Sequence, residues 1–331
     1  MSSQFTPKTT GAEAAAVLAP HIAGKTVLMT GASITGLGFA FLKAISAHSP
    51  ALLILAGRSE AKLDETAAAL APTPTRKVLF DLTSLASARK AAAEVMAWQD
   101  VPAIDVLVFS AAVPICPYTK TEDGLEMQFG ADYVAHWLFG NLVMGKVLKG
   151  KGAVGTEGAG RVLSISSEGQ RLSPIRWGDI SFQDGKTYHR WRAYGQCKTA
   201  LILYAVLLAE KLGGAGLRAF SLHPGSVPGT ALSSLINMED VTLALDKELG
   251  NKEGDSNPFD PSIRRTIEQG AMPYVVAAFD PSVNDLNGKY LIDGRLAKVE
   301  NDDVKPYALD KEEAEKLWKY TEELVGQKFD F

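Results

Sequence analysis

Short runs dense in valine, isoleucine and leucine alternate along the chain with longer stretches whose apolar positions recur at helical spacing. Lys25 to Thr30 (KTVLMT), Ala51 to Ala56 (ALLILA), Lys77 to Phe80, Asp105 to Phe109 (DVLVF), Arg161 to Ile165 (RVLSI) and Arg218 to Leu222 (RAFSL) are apolar without alternation. Such runs predict strands buried on both faces of a parallel sheet. Helices are predicted between them over Leu37 to Ala47, Glu60 to Leu70, Ser84 to Trp98, Gly124 to Leu148 and Tyr194 to Leu212. The last of these is apolar nearly all round, which implies burial or packing against another subunit. Further along, Lys289 to Ile292 (KYLI) predicts a last strand after a helix near Ile263 to Phe279. Asp310 to Val325 predicts an amphipathic C-terminal helix, and Thr10 to Leu18 a short helix ahead of the first strand. Regular succession of strand and helix predicts an α/β fold with a doubly wound, mostly parallel sheet.

No repeat or low-complexity linker divides the 331 residues, and the sheet needs strands from both halves. One domain over 1–331 is therefore expected, with an N-terminal extension at 1–24, an insertion at 231–262 and a C-terminal helix within 308–331. The charged, turn-rich stretch Asn237 to Pro261 reads as a mobile surface insertion. Composition then acts by exclusion. A formal net charge of −4 offers little to a polyanion, so nucleic acid is not an expected partner. Two cysteines, Cys116 and Cys197, make neither a disulfide framework nor a cysteine zinc site, and the five histidines lack ligand spacing, so no metal is expected. The first ten residues lack a signal-peptide layout, and the longest apolar run, Ala200 to Leu208, is too short to span a bilayer. A reducing, cytoplasmic setting is the default.

Between the first predicted strand and helix lies Thr30-Gly31-Ala32-Ser33-Ile34-Thr35-Gly36-Leu37-Gly38. A turn in that context can let backbone approach a pyrophosphate and can aim a helix N-terminus at it. Gly31, Ser33, Gly36, Leu37 and Gly38 are the candidate contacts; a glycine-rich turn without a ligand is the bland alternative. The second strand ends Ala56-Gly57-Arg58-Ser59, without the acidic residue that takes ribose hydroxyls in NAD-binding folds. Arg58 can instead pair with a 2′-phosphate through its fork of donors, with Ser59 adding a hydrogen bond, which points to NADP(H). Asp81 and Leu82 follow the third strand, where Asp81 either accepts from an adenine amino group or caps the next helix.

Tyr194 and Lys198 stand four apart at the start of a predicted helix, so both side chains share a face. A phenol titrates near pH 10 in water, and a neighbouring ammonium favours the phenolate. The pair is thus a sensible proton-transfer unit.

With these residues in view, the chain resembles the short-chain dehydrogenase/reductase family from about Phe5 to its last residue. The matching pieces are TGASITGLG, AGRSEAKLDE, FDLTS, DVLVFSAAV, RVLSISSEG, YGQCK and HPGSVPGT. Within the family it is most similar to the retinol-dehydrogenase-like and WW-domain-oxidoreductase-like branch in a fungal form, and the tail PYALDKEEAEKLWKYTEELVGQKF resembles fungal members. The resemblance implies a Rossmann-type three-layer sandwich with a substrate-side extension toward the C-terminus. It also implies hydride transfer between NADP(H) and a ketone or secondary alcohol, with secondary metabolism as the setting. Ser167 would polarise the substrate carbonyl. Tyr194 would pass a proton to its oxygen, and Lys198 would bind the nicotinamide ribose and depress the phenol. Pro224, Gly225, Ser226, Val227 and Thr230 resemble the segment that contacts the nicotinamide amide. The helices from Gly124 and Tyr194 match those forming the dimer face in many members, others being monomeric, so a homodimer is one of two assemblies left open.

Four departures mark the chain. The glycine-rich turn holds one extra residue, as does HPGSVPGT. Phe109-Ser110-Ala111-Ala112 replaces Asn-Asn-Ala-Gly, which puts Ser110 where a cofactor-contacting asparagine is usual. Asp132 falls where the family has an asparagine that closes the proton relay. Asp132 either helps hold a water through backbone geometry, as the asparagine does, or, ionised beside Lys198, weakens the lysine's effect on Tyr194 and moves the pH optimum; alternatively it is a helix residue paired with a nearby base. Between Ser167 and Tyr194 an aromatic and basic insertion carries Arg171, Arg176, Trp177, Tyr188, His189, Arg190, Trp191 and Arg192. It is either a pocket wall for a flat or acidic substrate or a packed surface loop. His136, on an apolar helix, reads as structural, and Cys197 as a packing residue. A rival class remains open: an NADP(H)-binding scaffold, or a non-redox cyclase or isomerase, on the same fold.

Overall fold

In the computed structural model, residues 4–152, 158–228, 248, 264–301 and 303–331 are described. Their strands are Thr26–Thr30 (β1), Leu52–Gly57 (β2), Thr75–Leu79 (β3), Val106–Phe109 (β4), Arg161–Ile165 (β5), Arg218–His223 (β6), Tyr290–Ile292 (β7) and Arg295–Leu296 (β8). They form one sheet in the order β3-β2-β1-β4-β5-β6-β7-β8, parallel except for the last pair. β1 lies between β2 and β4, with Thr30 opposite Ala56 on one side and Phe109 on the other. β1, β2, β4 and β5 are almost wholly buried, as expected of strands covered on both faces.

The helices are Gly11–Val17 (α1), Ala19–Ile22 (α2), Leu37–Ser46 (α3), Glu60–Ala69 (α4), Leu85–Ala97 (α5), Ala135–Val147 (α6), Arg190–Leu212 (α7), Ile267–Gly270 (α8), Met272–Phe279 (α9) and Lys311–Val325 (α10). Side chains of α1, α3 and α9 share one apolar core with one face of the sheet, and those of α5, α6, α7 and α10 share the other. The doubly wound three-layer sandwich is therefore the observed architecture.

Several boundaries differ from the pattern-based reading. No continuous helix runs from Gly124 to Leu148. Gly124 sits at φ 78° in a turn, and a wide π-helical turn, Phe129–Val134, leads into α6. The buried Glu126 carboxylate opens that turn by accepting from the N–H groups of Gln128 (3.0 Å) and Phe129 (2.9 Å). α7 starts at Arg190, one turn before Tyr194, because Trp191 packs edge-on against Tyr194 at the i, i+3 spacing of a helix. The expected helix up to Phe279 is two pieces. Thr266 and Gln269 form a capping box on α8, and Pro273, which has no N–H to give, opens α9. β8, two residues long, is too short for a periodicity to reveal. The insertion at 231–262 lies outside the described residues apart from Glu248.

α10 closes the face made by α6 and α7. Trp318 meets Trp137 edge-on at 4.9 Å between ring centroids and Tyr204 at 6.2 Å, while Thr321 Oγ1 is 2.9 Å from the Tyr133 hydroxyl. Among the described residues no helix is long and apolar enough to cross a membrane.

Candidate active site

The strand order reverses between β1 and β4, and in open α/β sheets ligands bind outside the carboxyl ends of the strands at such a point. Here the loops after β1 and β4 touch backbone to backbone. Gly31 takes φ 79°, and a Cβ on it would lie 2.6 Å from the Ala111 nitrogen. A Cβ on Gly38 would run into the Gly31 carbonyl, so the first turn of α3 packs directly on the glycine turn. Ser33, Ile34 and Thr35 are exposed between them. Gly36 is the N-cap of α3, and no side chain caps it. The N–H groups that open α3 therefore lie beside an exposed turn without a side-chain cap, with the positive end of the helix dipole behind them, which fits an anionic pyrophosphate.

Arg58 is exposed at the carboxyl end of β2. Ser59 caps α4, its hydroxyl oxygen accepting from the Lys62 N–H at 3.4 Å, which leaves the hydroxyl proton to give. Asp81 Oδ1 accepts from the Thr83 N–H and hydroxyl, both at 2.9 Å, and Ser84 rather than Asp81 caps α5. Leu82 is half-buried beside it. These residues line the outer strands, away from the tyrosine.

Tyr194, Ser167, Lys198 and Asp132 come together past the ends of β4 and β5. The Ser167 side chain lies close enough to the Tyr194 phenol to favour its ionised form. Ser167 Oγ accepts from the Gly169 N–H at 3.1 Å. Ser166, its neighbour, is buried and spends its hydroxyl on the Lys198 carbonyl at 2.8 Å. A side chain at Gly169 would strike the Tyr194 ring, so that glycine gives the phenol its room. Lys198 Nζ stands 5.3 Å from the Tyr194 ring centroid, 3.4 Å from the Ile165 carbonyl oxygen and 3.9 Å from Asp132 Oδ2. Asp132 lies in the π turn; its Oδ1 accepts from the Val113 N–H at 2.8 Å, and its buried Oδ2 has no hydrogen-bond partner.

Burial pushes the Tyr194 phenol up, and Lys198 and Ser167 pull it back only in part. The net is opposite to the lowered phenol expected from the Tyr–Lys spacing, because desolvation outweighs one ammonium. For Lys198, burial favours the neutral amine, but Tyr194, Cys197 and Asp132 outweigh it and hold the ammonium charged. Burial lifts the Asp132 carboxyl to about 7 against the pull of Lys198.

Pro224, Gly225 and Val227 follow β6 at the same end of the sheet; Thr230 lies outside the described residues. Ser110 presents its N–H to Thr30 Oγ1 at 3.0 Å and its hydroxyl to the Tyr274 hydroxyl, also at 3.0 Å. Tyr274, on α9, escaped the sequence reading. Its phenol is pushed up to about 12 by burial, and its field reaches Lys198. The signal was a single polar handle in the apolar run MPYVVAAF, since a buried tyrosine hydroxyl needs a partner.

Much of the insertion between Ser167 and Tyr194 is packed rather than open. Trp177 donates to Glu313 of α10 at 2.7 Å, Arg176 pairs with Asp179 at 3.0 Å, and Trp191 is buried. Tyr188 bridges to the loop after β4, donating to the Cys116 carbonyl at 3.1 Å and accepting from Gln128 Nε2 at 3.0 Å. Burial raises the thiols of both Cys116 and Cys197, which disfavours the nucleophilic thiolate. Among the described residues no three His, Cys, Asp or Glu side chains are grouped to hold a metal ion.

Comparison with known proteins places this geometry in context. The chain is 32% identical over 320 residues to retinol dehydrogenase 14 of Mus musculus, covering 92% of this chain and 86% of that protein. No family model matches it. Among solved structures, an uncharacterised protein from Mycobacterium paratuberculosis superposes with a TM-score of 0.69 at 25% identity, covering 96% of this chain and 98% of that one. NADPH-bound carbonyl reductase from chicken fatty liver superposes with a TM-score of 0.57 at 18% identity, covering 83% and 98%, a likeness of fold.

Proposed function

The chain belongs to the short-chain dehydrogenase/reductase family of oxidoreductases, and from that premise we propose that it transfers hydride between NADP(H) and a ketone or secondary alcohol. The observation that carries the reading is a buried phenol with Ser167 close by and the Lys198 ammonium beside its ring, at the switch point of the sheet. A bound nicotinamide would supply or receive the hydride. Ser167 holds the substrate oxygen against Tyr194 by donating its hydroxyl proton. Tyr194 gives its own proton to that oxygen in reduction and recovers it in oxidation. Because burial keeps the phenol protonated at neutral pH, the resting state is poised for reduction. Lys198 keeps a positive charge against the phenolate that forms.

Gly31, Ser33, Gly36, Leu37 and Gly38 would hold the pyrophosphate, and Asp81, Leu82 and Ser110 would border the cofactor. Pro224, Gly225, Val227 and Thr230 would face the nicotinamide. Exposed Arg58, with no acid at that strand end, supports NADP(H) over NAD(H). The fungal retinol-dehydrogenase-like or WW-domain-oxidoreductase-like placement rests on motif likeness, and secondary metabolism is the setting it suggests. The test is initial-rate oxidation of NADPH and NADH against a panel of ketones, with the wild type and Tyr194→Phe. Turnover should fall by roughly 10²-fold or more in the variant while NADPH still binds. Binding without Tyr194-dependent turnover would favour the scaffold or non-redox reading.

A further inference from the structure

His136 stands on α6 one turn beyond Asp132, fully buried against the rings of Phe109 and Phe80 at 4.8 and 6.1 Å between centroids. Both ring nitrogens are engaged. Nδ1 is 2.9 Å from the Asp132 carbonyl oxygen. A carbonyl only accepts, so Nδ1 carries the proton. Nε2 is 2.9 Å from Thr30 Oγ1, and that hydroxyl oxygen also receives the N–H groups of Ser110 (3.0 Å) and Ala111 (3.1 Å). A hydroxyl has one proton and two lone pairs. With both lone pairs taken, its proton remains for the imidazole; the other acceptor in reach, the Val108 carbonyl, is 3.5 Å away. Nε2 is therefore bare. An imidazolium would press a second N–H on an oxygen already saturated with donors. Lys198, across on α7, also disfavours a proton on the ring, and burial pushes the imidazole down to about 4.

We propose that His136 is a positioning residue: a neutral imidazole of one fixed tautomer that ties the crevice floor at Thr30, Ser110 and Ala111 to the turn carrying Asp132. The inference rests on the cofactor reading above and goes one step past it. One end of the clamp holds the two loops whose backbones meet at Gly31. The other end holds the residue whose carboxylate faces Lys198. Phe80 and Phe109 keep water from the linkage, which strengthens each bond in it.

Two variants separate the ends. His136→Asn places a donor where Nδ1 was and abandons Thr30. His136→Gln places an acceptor where Nε2 was and abandons Asp132. The expected result is an NADPH Kd raised roughly tenfold in His136→Asn, the loss of about one hydrogen bond's worth of order. His136→Gln should instead keep Kd within about twofold and shift the apparent pKa of kcat. Thr30→Ser, which keeps the hydroxyl, should match the wild type in Kd, and Thr30→Val should match His136→Asn. In cofactor-free wild type, ¹⁵N NMR of the ring should show the Nδ1–H tautomer, unchanged from pH 5.5 to 8.5. An Nε2–H tautomer, a ring that titrates near neutrality, or equal effects of the two His136 variants on both readouts would overturn the proposal. Should the wild type bind no NADPH, the cofactor reading fails, whereas a fixed, non-titrating Nδ1–H ring would still uphold the clamp.

Discussion

Replacing Asp132 by asparagine removes a charge and little else. The amide oxygen can keep the Val113 N–H, so the change falls on the oxygen that faces Lys198 at 3.9 Å. From 5.3 Å off the Tyr194 ring centroid, the Lys198 ammonium favours the phenolate by ~3 kcal/mol at an effective dielectric near 20, or roughly two pKa units. An ionised Asp132 sets an opposite charge behind that ammonium and cancels part of its help, which is why its field acts to raise the phenol. With its carboxyl lifted to about 7, Asp132 passes from mostly neutral to mostly charged across the neutral range. The wild-type phenol therefore has the full help of Lys198 below neutrality and less of it above.

In Asp132→Asn the help persists at every pH, so Tyr194 should ionise about one unit lower, half of the bound just worked. Reduction, which needs the phenol, should lose kcat/KM at lower pH on the alkaline limb. Oxidation, which needs the phenolate, should reach its plateau at lower pH. The assay is kcat/KM for both directions from pH 5.5 to 10.5 at fixed ionic strength, with Tyr194→Phe as the background. Superimposable profiles, or a shift of the variant toward alkaline pH, would refute the reasoning.

Arg58→Ala should weaken NADPH binding by roughly 10- to 100-fold, the worth of a charge-assisted pair, and leave NADH within about twofold; fluorescence titration of both cofactors reads this, and an equal loss for both would remove Arg58 from phosphate recognition. Trp318→Ala should cost about 3–5 kcal/mol by urea unfolding, since the indole is buried between Trp137 and Tyr204; a cost under about 1 kcal/mol would show that α10 is not part of the core.

What the pattern made legible was whatever repeats locally. Strands β1, β2, β4, β5 and β6 announce themselves because burial on both faces demands unbroken apolar runs, and the Tyr194–Lys198 spacing is readable because α7 is helical across it. The same local view fails where distant residues decide. Asp105 reads as the first residue of a strand, yet its carboxylate binds the N–H groups of Thr26 and Lys151, and the strand begins after it. The π turn at Phe129–Val134 has no periodic signature, since one widened turn inside an apolar stretch leaves the hydrophobic count unchanged. His136 looks structural from its neighbours alone. Its role depends on Thr30, more than a hundred residues earlier, being saturated by two other donors. Tyr274 meets Ser110 through the same kind of long-range encounter.

The all-round apolar character of α7 left two explanations, burial within the chain or burial against a second copy. α10 resolves the face it covers. Its apolar and small residues Ala314, Leu317, Trp318, Thr321 and Val325 recur at helical spacing and are buried. They lie over α6 and α7, and Lys211 and Glu210 at the far end of α7 hold the chain end and Lys311. Arg89 of α5 reaches the same segment through the Val325 carbonyl at 2.8 Å and through Gln327. A homodimer through these two helices would have to lift α10 away and expose Trp137 and Tyr204 to water before any contact formed. At about 25 cal/mol per Å² of apolar surface, uncovering side chains of that size opposes such an exchange by several kcal/mol. Any assembly of copies is therefore expected on another face. The helix that carries Tyr194 and Lys198 is braced by the chain's own C-terminus.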